Sequence, residues 1–71
     1  MIKKGIYRHY KGKEYRVHGV ARHSETLEDY VIYEPLYKSD SAFWIRPLSM
    51  FTETVSINGK KAPRFEFIRE E

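Results

Sequence analysis

Cysteine is absent from the 71 residues, so neither a disulfide nor a thiolate–metal site can stabilise this chain. Long hydrophobic runs are absent as well: no stretch approaches the roughly 20 apolar residues that a membrane span needs. The residues after Met1 are polar and do not form the apolar core of a signal peptide. No segment rich in proline, glycine or serine divides the sequence. We therefore expect a single cytoplasmic domain over residues 1–71, with no membrane association.

Aromatic residues, in contrast, are plentiful: the chain has six Tyr, four Phe and one Trp. A chain of this length hides only about 60% of the surface that its unfolded form exposes, so its core is thin. Because each aromatic ring can bury roughly 150–250 Å², we expect these rings to supply most of that core.

Charge is distributed unevenly along the chain. The net charge is +3, but residues 1–23 carry seven basic groups and one acidic group, Glu14, whereas the other 48 residues carry six basic and nine acidic groups. The two segments therefore stand at +6 and −3, and all three histidines lie in the basic one. Such asymmetry is typical of a surface that binds phosphate or other anions. The alternative is that opposite charges from the two segments meet in the fold and cancel.

Apolar and polar residues alternate mostly with a period of two, which predicts strands rather than helices. Lys11-Gly12 and Asn58-Gly59 are typical of tight turns, and the second predicts a type I′ hairpin between the strands at 54–57 and 64–68. Gly19, inside a strand pattern, predicts a bulge. The predicted strands cover residues 5–10, 14–21, 30–37, 43–46, 54–57 and 64–68, with a loop at 22–28, a turn at 38–41 and a helical turn at 48–51.

This pattern predicts an all-β fold. So few residues can cover an apolar sheet face only if the sheet curls over itself, so we expect a small SH3-like barrel or roll. It would consist of five to six short antiparallel strands with one short helical or 3₁₀ turn.

Several blocks of the sequence resemble a known family. The segments YRHYKG, ARHSET and WIRPLSMF occur in this order across nearly the whole chain. The chain resembles a family of small bacterial proteins catalogued only as a domain of unknown function. The resemblance implies an SH3-like β-barrel and no established activity, substrate, cofactor or partner.

The loop at Arg22, His23, Ser24, Glu25 and Thr26 places a base, a hydroxyl and a carboxylate in succession. A small hydrolase or nucleotide-processing enzyme could use such groups, but catalytic side chains must converge in space and adjacent residues usually point apart. The alternative is a turn in which Ser24 or Thr26 caps the backbone. We predict no catalytic residue here and keep the enzyme as a second alternative.

The three histidines could form a metal site, since a catalytic zinc can use three imidazoles. However, His9, His18 and His23 show neither the HxH spacing of a strand nor the HxxxH spacing of a helix, and no cysteine is available. We therefore predict no metal ligands and no cofactor.

Arginines interleaved with aromatic residues are the stronger candidate for a binding surface. A guanidinium group binds phosphate or carboxylate through two parallel hydrogen bonds, and exposed rings stack on bases. In the strand at 43–46, alternation places Trp44 and Arg46 on one face; Trp44 is either displayed there as a stacking platform or packed in the core. The predicted binding residues are Arg8, His9, Arg22, His23, Ser24, Glu25, Tyr33, Trp44 and Arg46.

These observations favour a monomeric, non-catalytic binding module. The basic N-terminal segment makes nucleic acid, or a protein that handles it, the first prediction for the partner. The first alternative is an SH3-like module that holds an extended peptide in an aromatic groove.

Overall fold

In the computed structural model, residues 2–37 and 42–70 are described. They form seven strands and one helix, which confirms the all-β class; the strand number exceeds the predicted five to six by at least one. The elements are β1 (Gly5–His9), β2 (Glu14–Arg22), β3 (Asp29–Pro35), β4 (Trp44–Pro47), α1 (Leu48–Phe51), β5 (Thr54–Ile57), β6 (Lys60–Pro63) and β7 (Phe65–Arg69).

Five strands form one antiparallel sheet in the order β4-β3-β2-β1-β7. The remaining two, β5 and β6, form a separate hairpin in which Ile57 pairs with Lys60. Its turn residues Asn58 and Gly59 have φ angles of 51° and 80°, the positive values that a type I′ turn requires.

One predicted pairing is wrong. The sequence pattern predicts that Asn58-Gly59 joins the strand at 54–57 to the strand at 64–68. A two-residue turn must be flanked immediately by its two strands, so residues 60–63 form the partner strand instead. The chain then continues into β7, which pairs with β1 at the far edge of the large sheet.

The large sheet is rolled. Its outermost strands, β4 and β7, are four strand spacings apart, which would be roughly 19 Å in a flat sheet. Yet the guanidinium carbon of Arg46 on β4 lies 5.5 Å from the ring centre of Phe65 on β7. Side chains from the two edges can meet in this way only if the sheet curls around its inner face. The strand pairing itself remains open, because β4 and β7 are not paired with each other.

The inner face of the roll carries the core. Tyr7 lies opposite Tyr15, and Val17 lies opposite Tyr33, so rings and β-branched side chains alternate across the strands. Helix α1 closes the core with Phe51, whose ring stacks on Phe65 at 4.1 Å and an interplanar angle of 4°. The buried cluster consists of Tyr7, Tyr15, Val17, Val31, Tyr33, Phe51 and Phe65.

Two glycines shape the sheet locally. The register of β2 against β3 shifts between Val17 and Gly19, which is the bulge predicted at Gly19. Gly5 begins β1 with a φ of 143°, and a Cβ atom there would collide with the backbone carbonyl of Arg69 on β7. The close approach of β1 and β7 therefore requires glycine at this position.

Other predictions have mixed outcomes. The helical turn at 48–51 is confirmed as α1. The turn predicted at residues 38–41 lies outside the described residues. Among the described residues, the single helix is four residues long, and no helix is long and apolar enough to cross a membrane.

Candidate functional site

The site lies at the end of the rolled sheet where β1 and β3 finish and β2, β4 and β7 begin; we call it the upper end. The β1–β2 turn brings Lys11 and Lys13 to this end, and the start of β4 brings Trp44. Trp44 and Arg46 face inward, opposite Tyr33 and Val31 of β3. They share a face, as the alternation predicts.

Arg46 is held among aromatic rings. Its Nε atom donates a hydrogen bond of 3.2 Å to the hydroxyl oxygen of Tyr33, and its guanidinium lies over the Phe65 ring. Because Phe51 stacks on one face of Phe65, the guanidinium occupies the other face. Two of the three guanidinium nitrogens have no hydrogen-bond partner among the described residues. The aromatic contacts thus orient Arg46 while leaving hydrogen-bond donors for a ligand.

No acidic side chain neutralises Arg46 within residues 2–37 and 42–70. Of the other four strand arginines, three (Arg8, Arg16 and Arg22) have a carboxylate partner in an ion pair, and so does Arg64, which pairs with Glu53 at 2.7 Å. Lys13 resembles Arg46, because its ammonium nitrogen lies 4.9 Å from the ring centre of Tyr37. These two cations therefore rest on rings instead of carboxylates.

Trp44 packs on three tyrosines, with ring centres 6.0 Å from Tyr15, 6.1 Å from Tyr33 and 6.4 Å from Tyr37. Trp44 is half-buried. It is therefore neither fully displayed as a stacking platform nor fully packed in the core, which were the two alternatives for this ring. The hydroxyl groups of Tyr15 and Tyr37 lie 3.3 Å apart. Burial, followed by the hydrogen bond with Tyr37, raises the pKa of Tyr15 to about 12, so this ring remains neutral at ordinary pH.

His9 completes the upper end. Its ring meets Phe65 edge to face at 4.9 Å, and its Nδ1 atom accepts a hydrogen bond of 3.1 Å from the Lys11 backbone N–H. Burial, followed by the positive charges of Arg46, Arg64 and Lys11, lowers the pKa of His9 below its usual range. The neutral ring therefore carries its proton on Nε2, and the surrounding potential is positive.

We name the set His9, Lys13, Tyr15, Tyr37, Trp44 and Arg46 the Arg46 cluster. It places cationic groups next to a half-buried indole ring at the upper end of the rolled sheet. A shallow groove of about 280 Å³ opens beside His9, between β1 and the β5–β6 hairpin. The arrangement can bind an anionic group through Arg46 and Lys13 while a flat ring contacts Trp44 or Tyr37.

The structure does not gather all of the predicted residues here. His9, Tyr33, Trp44 and Arg46 converge at or next to the cluster. Arg8 lies on the outer face of the sheet, where it pairs with Glu14 at 2.8 Å.

Arg22 and the loop that follows it lie at the opposite end of the β2–β3 pair. Arg22 pairs with Asp29 at 3.1 Å, and Asp29 is four residues, or about 13 Å, from Tyr33 along β3. This loop therefore does not contribute to the Arg46 cluster.

His23 organises the loop that contains it. Its Nδ1 atom accepts hydrogen bonds from the backbone N–H groups of Glu25 and Thr26, at 3.1 and 3.2 Å. Ser24 and Glu25 are exposed in this turn, and among the described residues neither side chain bonds to His23. The geometry matches the turn alternative: the Thr26 hydroxyl oxygen accepts a hydrogen bond of 3.2 Å from the Glu28 backbone N–H, and the His23 imidazole nitrogen adds two further backbone contacts.

The cluster also contains residues that were not among the predicted binding residues: Lys13, Tyr15 and Tyr37. Tyr15 belongs to the buried core, and the alternation of the strand predicted at 14–21 gives no sign that this core extends to a surface. Lys13 precedes β2 in a turn, where a lysine is normally solvated. The register of β2 against β3, continued two residues beyond the Tyr15–Pro35 pair, brings it opposite Tyr37. Within the described residues, no three His, Cys, Asp or Glu side chains are grouped so that they could hold a metal ion.

The fold and the site define a small all-β domain whose upper end is basic and aromatic. The chain belongs to the DUF1653 family of proteins of unknown function, whose model matches residues 5–67. It is similar to a DUF1653 protein from Bordetella bronchiseptica of known crystal structure. The two share 37% sequence identity with a TM-score of 0.89, and the match covers 99% of this chain and 91% of the other. Among curated proteins, no sequence matches this chain. The predicted family membership is confirmed.

Proposed function

We propose that this protein is a non-catalytic binding module that recognises single-stranded nucleic acid through the Arg46 cluster. The observation that carries the proposal is Arg46 itself, oriented by Tyr33 and Phe65 at the mouth of the roll, with no carboxylate partner among the described residues. A guanidinium held in this way offers two free nitrogens to a phosphate group.

The aromatic part of the cluster supports a nucleic-acid ligand. Single-stranded chains are bound by grooves that combine positive charge with rings on which successive bases stack. Trp44 and Tyr37 supply neighbouring rings, and Lys13 lies over Tyr37. A base that contacts Trp44 would place its flanking phosphates within reach of Arg46 or Lys13.

The charge distribution supports this proposal only in part. Arg16 and Arg22 of the basic N-terminal segment pair with carboxylates of the acidic segment, as expected if the two charged segments cancel in the fold. Arg8 pairs with Glu14, the one acidic residue of its own segment. Lys11 and Lys13 remain as cations at the upper end, next to Arg46. The proposed surface is therefore a compact site at one end of the roll.

Trp44 is the single tryptophan of the chain, so its fluorescence reports directly on the cluster. We expect an oligothymidylate of about 12 nucleotides to quench this fluorescence and a duplex of equal length to quench it less. Two phosphate contacts predict a slope of about −1.4 for log affinity against log salt. An unchanged spectrum at millimolar oligonucleotide would contradict the proposal.

A matched pair of variants tests the location of the site. Lys13→Gln should lower the affinity and the salt slope, since it removes a cation of the cluster. Lys4→Gln removes the same charge next to β1, at the lower end of the sheet, and should change neither. Salt-insensitive binding of a proline-rich peptide, abolished by Trp44→Ala, would favour the peptide-binding module instead.

A further inference from the structure

Strand β4 is an exposed edge of the large sheet. It pairs with β3 on one side and with no described strand on the other. Its outer-face side chains are apolar and open to solvent: Ile45 is 63% exposed, and the preceding Phe43 is 57% exposed. Natural edge strands are usually protected by charged side chains, bulges or a covering segment, and an unprotected apolar edge tends to pair with another strand.

The backbone of β4 is oriented for such pairing. The Leu36 N–H donates to the Glu14 carbonyl on β2 at 3.0 Å, so the backbone groups of Tyr33, three residues earlier, point towards β4. Tyr33 is paired with Trp44, whose backbone groups therefore point back at β3. The N–H and C=O of the next residue, Ile45, point away from the sheet and are available to a new strand.

Proline fits this geometry as well. Pro47 lies two residues after Ile45, so its nitrogen also points away from β3. Since proline has no N–H to donate, it is tolerated on this side of an edge strand and would break the ladder on the other side. The open side of β4 thus keeps one complete donor and acceptor pair, at Ile45.

We propose that β4 pairs antiparallel with β4 of a second copy of this chain, about a twofold axis at Ile45. The inner faces then match by charge: Trp44 lies opposite the partner's Arg46, and Arg46 lies opposite the partner's Trp44. A cation facing an indole ring is favourable, and the two symmetric contacts make the interface self-complementary. On the outer face, Ile45 meets the partner's Ile45.

The neighbouring registers are less favourable. If the two inner faces are to remain continuous, the pairing of β4 with the partner's β4 can shift only by steps that keep each side chain on the same face of the sheet. One such step places Arg46 opposite the partner's Arg46, where like charges repel. The other places Trp44 opposite the partner's Trp44 and leaves both Arg46 side chains without a facing ring. The register centred on Ile45 avoids both defects.

The dimer joins the two Arg46 clusters side by side on one continuous sheet, and each cluster gains a ring from the other copy. This dimer takes the place of the monomer that is expected from the sequence. Because so short a strand buries little area, the association is weak and depends on concentration. The dimer forms without nucleic acid, so its test is independent of the proposed function.

Disulfide cross-linking tests the register directly. The chain has no cysteine, so any disulfide in a single-cysteine variant joins two copies. Ile45→Cys should cross-link rapidly under mild oxidation, since facing Cα atoms in such a pair lie about 5.5 Å apart. Phe43→Cys should not, because residue 43 faces the partner's residue 47 and the two cysteines are about 13 Å apart along the strands.

Ile57→Cys is the control for random collision, because Ile57 is also exposed but lies in the separate β5–β6 hairpin. Absence of a cross-link in Ile45→Cys, or cross-linking of Phe43→Cys or Ile57→Cys at the same rate, would overturn the proposal.

Sedimentation of the native chain from micromolar to millimolar concentration gives a second test. We expect the average mass to rise towards the dimer, and Ile45→Lys to keep the chain monomeric by placing two ammonium groups at the twofold axis. Ile57→Lys should leave the rise unchanged. A native chain that remains monomeric at millimolar concentration would overturn the dimer and leave the edge to a different partner.

Discussion

The two faces of the rolled sheet use arginine in opposite ways. On the outer face, Arg8 and Arg16 pair with Glu14 and Glu34 at 2.8 and 2.9 Å. On the inner face, Arg46 has rings for neighbours and no carboxylate among the described residues. The comparison shows that the position of an arginine in the fold decides whether its charge is paired with a carboxylate.

Cross-strand register explains the outer face. Arg8 lies opposite Glu14 on β2 and opposite Glu66 on β7, and Arg16 lies opposite Glu34 on β3. Exposed pairs of this kind contribute about 0–1 kcal/mol each. They help to fix the register and make the outer face polar, and they leave little free charge there.

Ring geometry explains the inner face. A guanidinium group is planar and weakly hydrated, so it can rest on Phe65 where an ammonium group would lose more hydration. Phe65 is in turn fixed by its stack with Phe51 from α1. The guanidinium group of Arg46 is therefore held in place by aromatic rings of the core.

The largest effect is expected on stability, from a substitution in the core of the inner face. Phe65→Ala should lower the free energy of unfolding by about 3–5 kcal/mol, because it leaves a cavity against Phe51 and removes the ring beneath Arg46. Arg8→Gln, on the outer face, should cost less than about 1 kcal/mol. Urea denaturation compares the two variants, and equal losses would contradict the assignment of the core to the inner face.

A smaller effect is expected on oligothymidylate affinity, which should respond to an arginine of the inner face and not to one of the outer face. Arg46→Gln should weaken oligothymidylate binding roughly tenfold or more, since a hydrogen bond to a charged group contributes about 1.5–3 kcal/mol. Arg8→Gln removes the same formal charge but leaves Glu14 without its partner on the opposite face, so the affinity should hardly change. Equal losses in the two titrations would indicate that only net charge matters.

The smallest effect concerns His9. Because neighbouring cations lower the pKa of His9, Arg46→Gln should raise this pKa, whereas Arg22→Gln at the other end should not. NMR titration of the His9 ring protons measures the change. A pKa of His9 that is the same in Arg46→Gln and in the native chain would show that the charge of Arg46 does not contribute to the shift.

The sign of the pH dependence follows from the same shift. In the folded chain the pKa of His9 lies below its unfolded value, near 6.5, so the folded state binds fewer protons. Stability is then fully present above about pH 6.5 and is lost as the pH falls towards the lowered pKa. Arg46→Gln should reduce this loss on acidification.

Local patterns predicted several parts of the structure well. Alternation gave the shared face of Trp44 and Arg46, and Gly19 marked the bulge in β2. Asn58-Gly59 marked a type I′ turn. The strand that follows this turn was placed wrongly at 64–68, because a two-residue turn leads directly into its second strand, which begins at Lys60. The SH3-like form that the family resemblance implies stays a prediction; the structure supports it to the extent that the sheet is rolled.

The site was harder to predict because it depends on contacts between distant strands. Arg22, His23, Ser24 and Glu25 are adjacent in sequence, yet they form only the end of β2 and the turn that follows it. Arg46 and Phe65 are 19 positions apart and meet only through the roll. Sequence proximity indicates local hydrogen bonding, whereas a binding surface of this kind requires convergence across the sheet.

The sequence alone determined the strand content, the dependence on aromatic rings in a chain without cysteine, and which side chains share a face. These properties follow from backbone periodicity and composition, which act over a few residues. Only the tertiary structure decided which charges are neutralised and which remain available, because ion pairs and cation–ring contacts depend on register and curvature. For Arg46, the deciding feature is the curl of the large sheet, which brings this arginine from one edge onto Phe65 at the other.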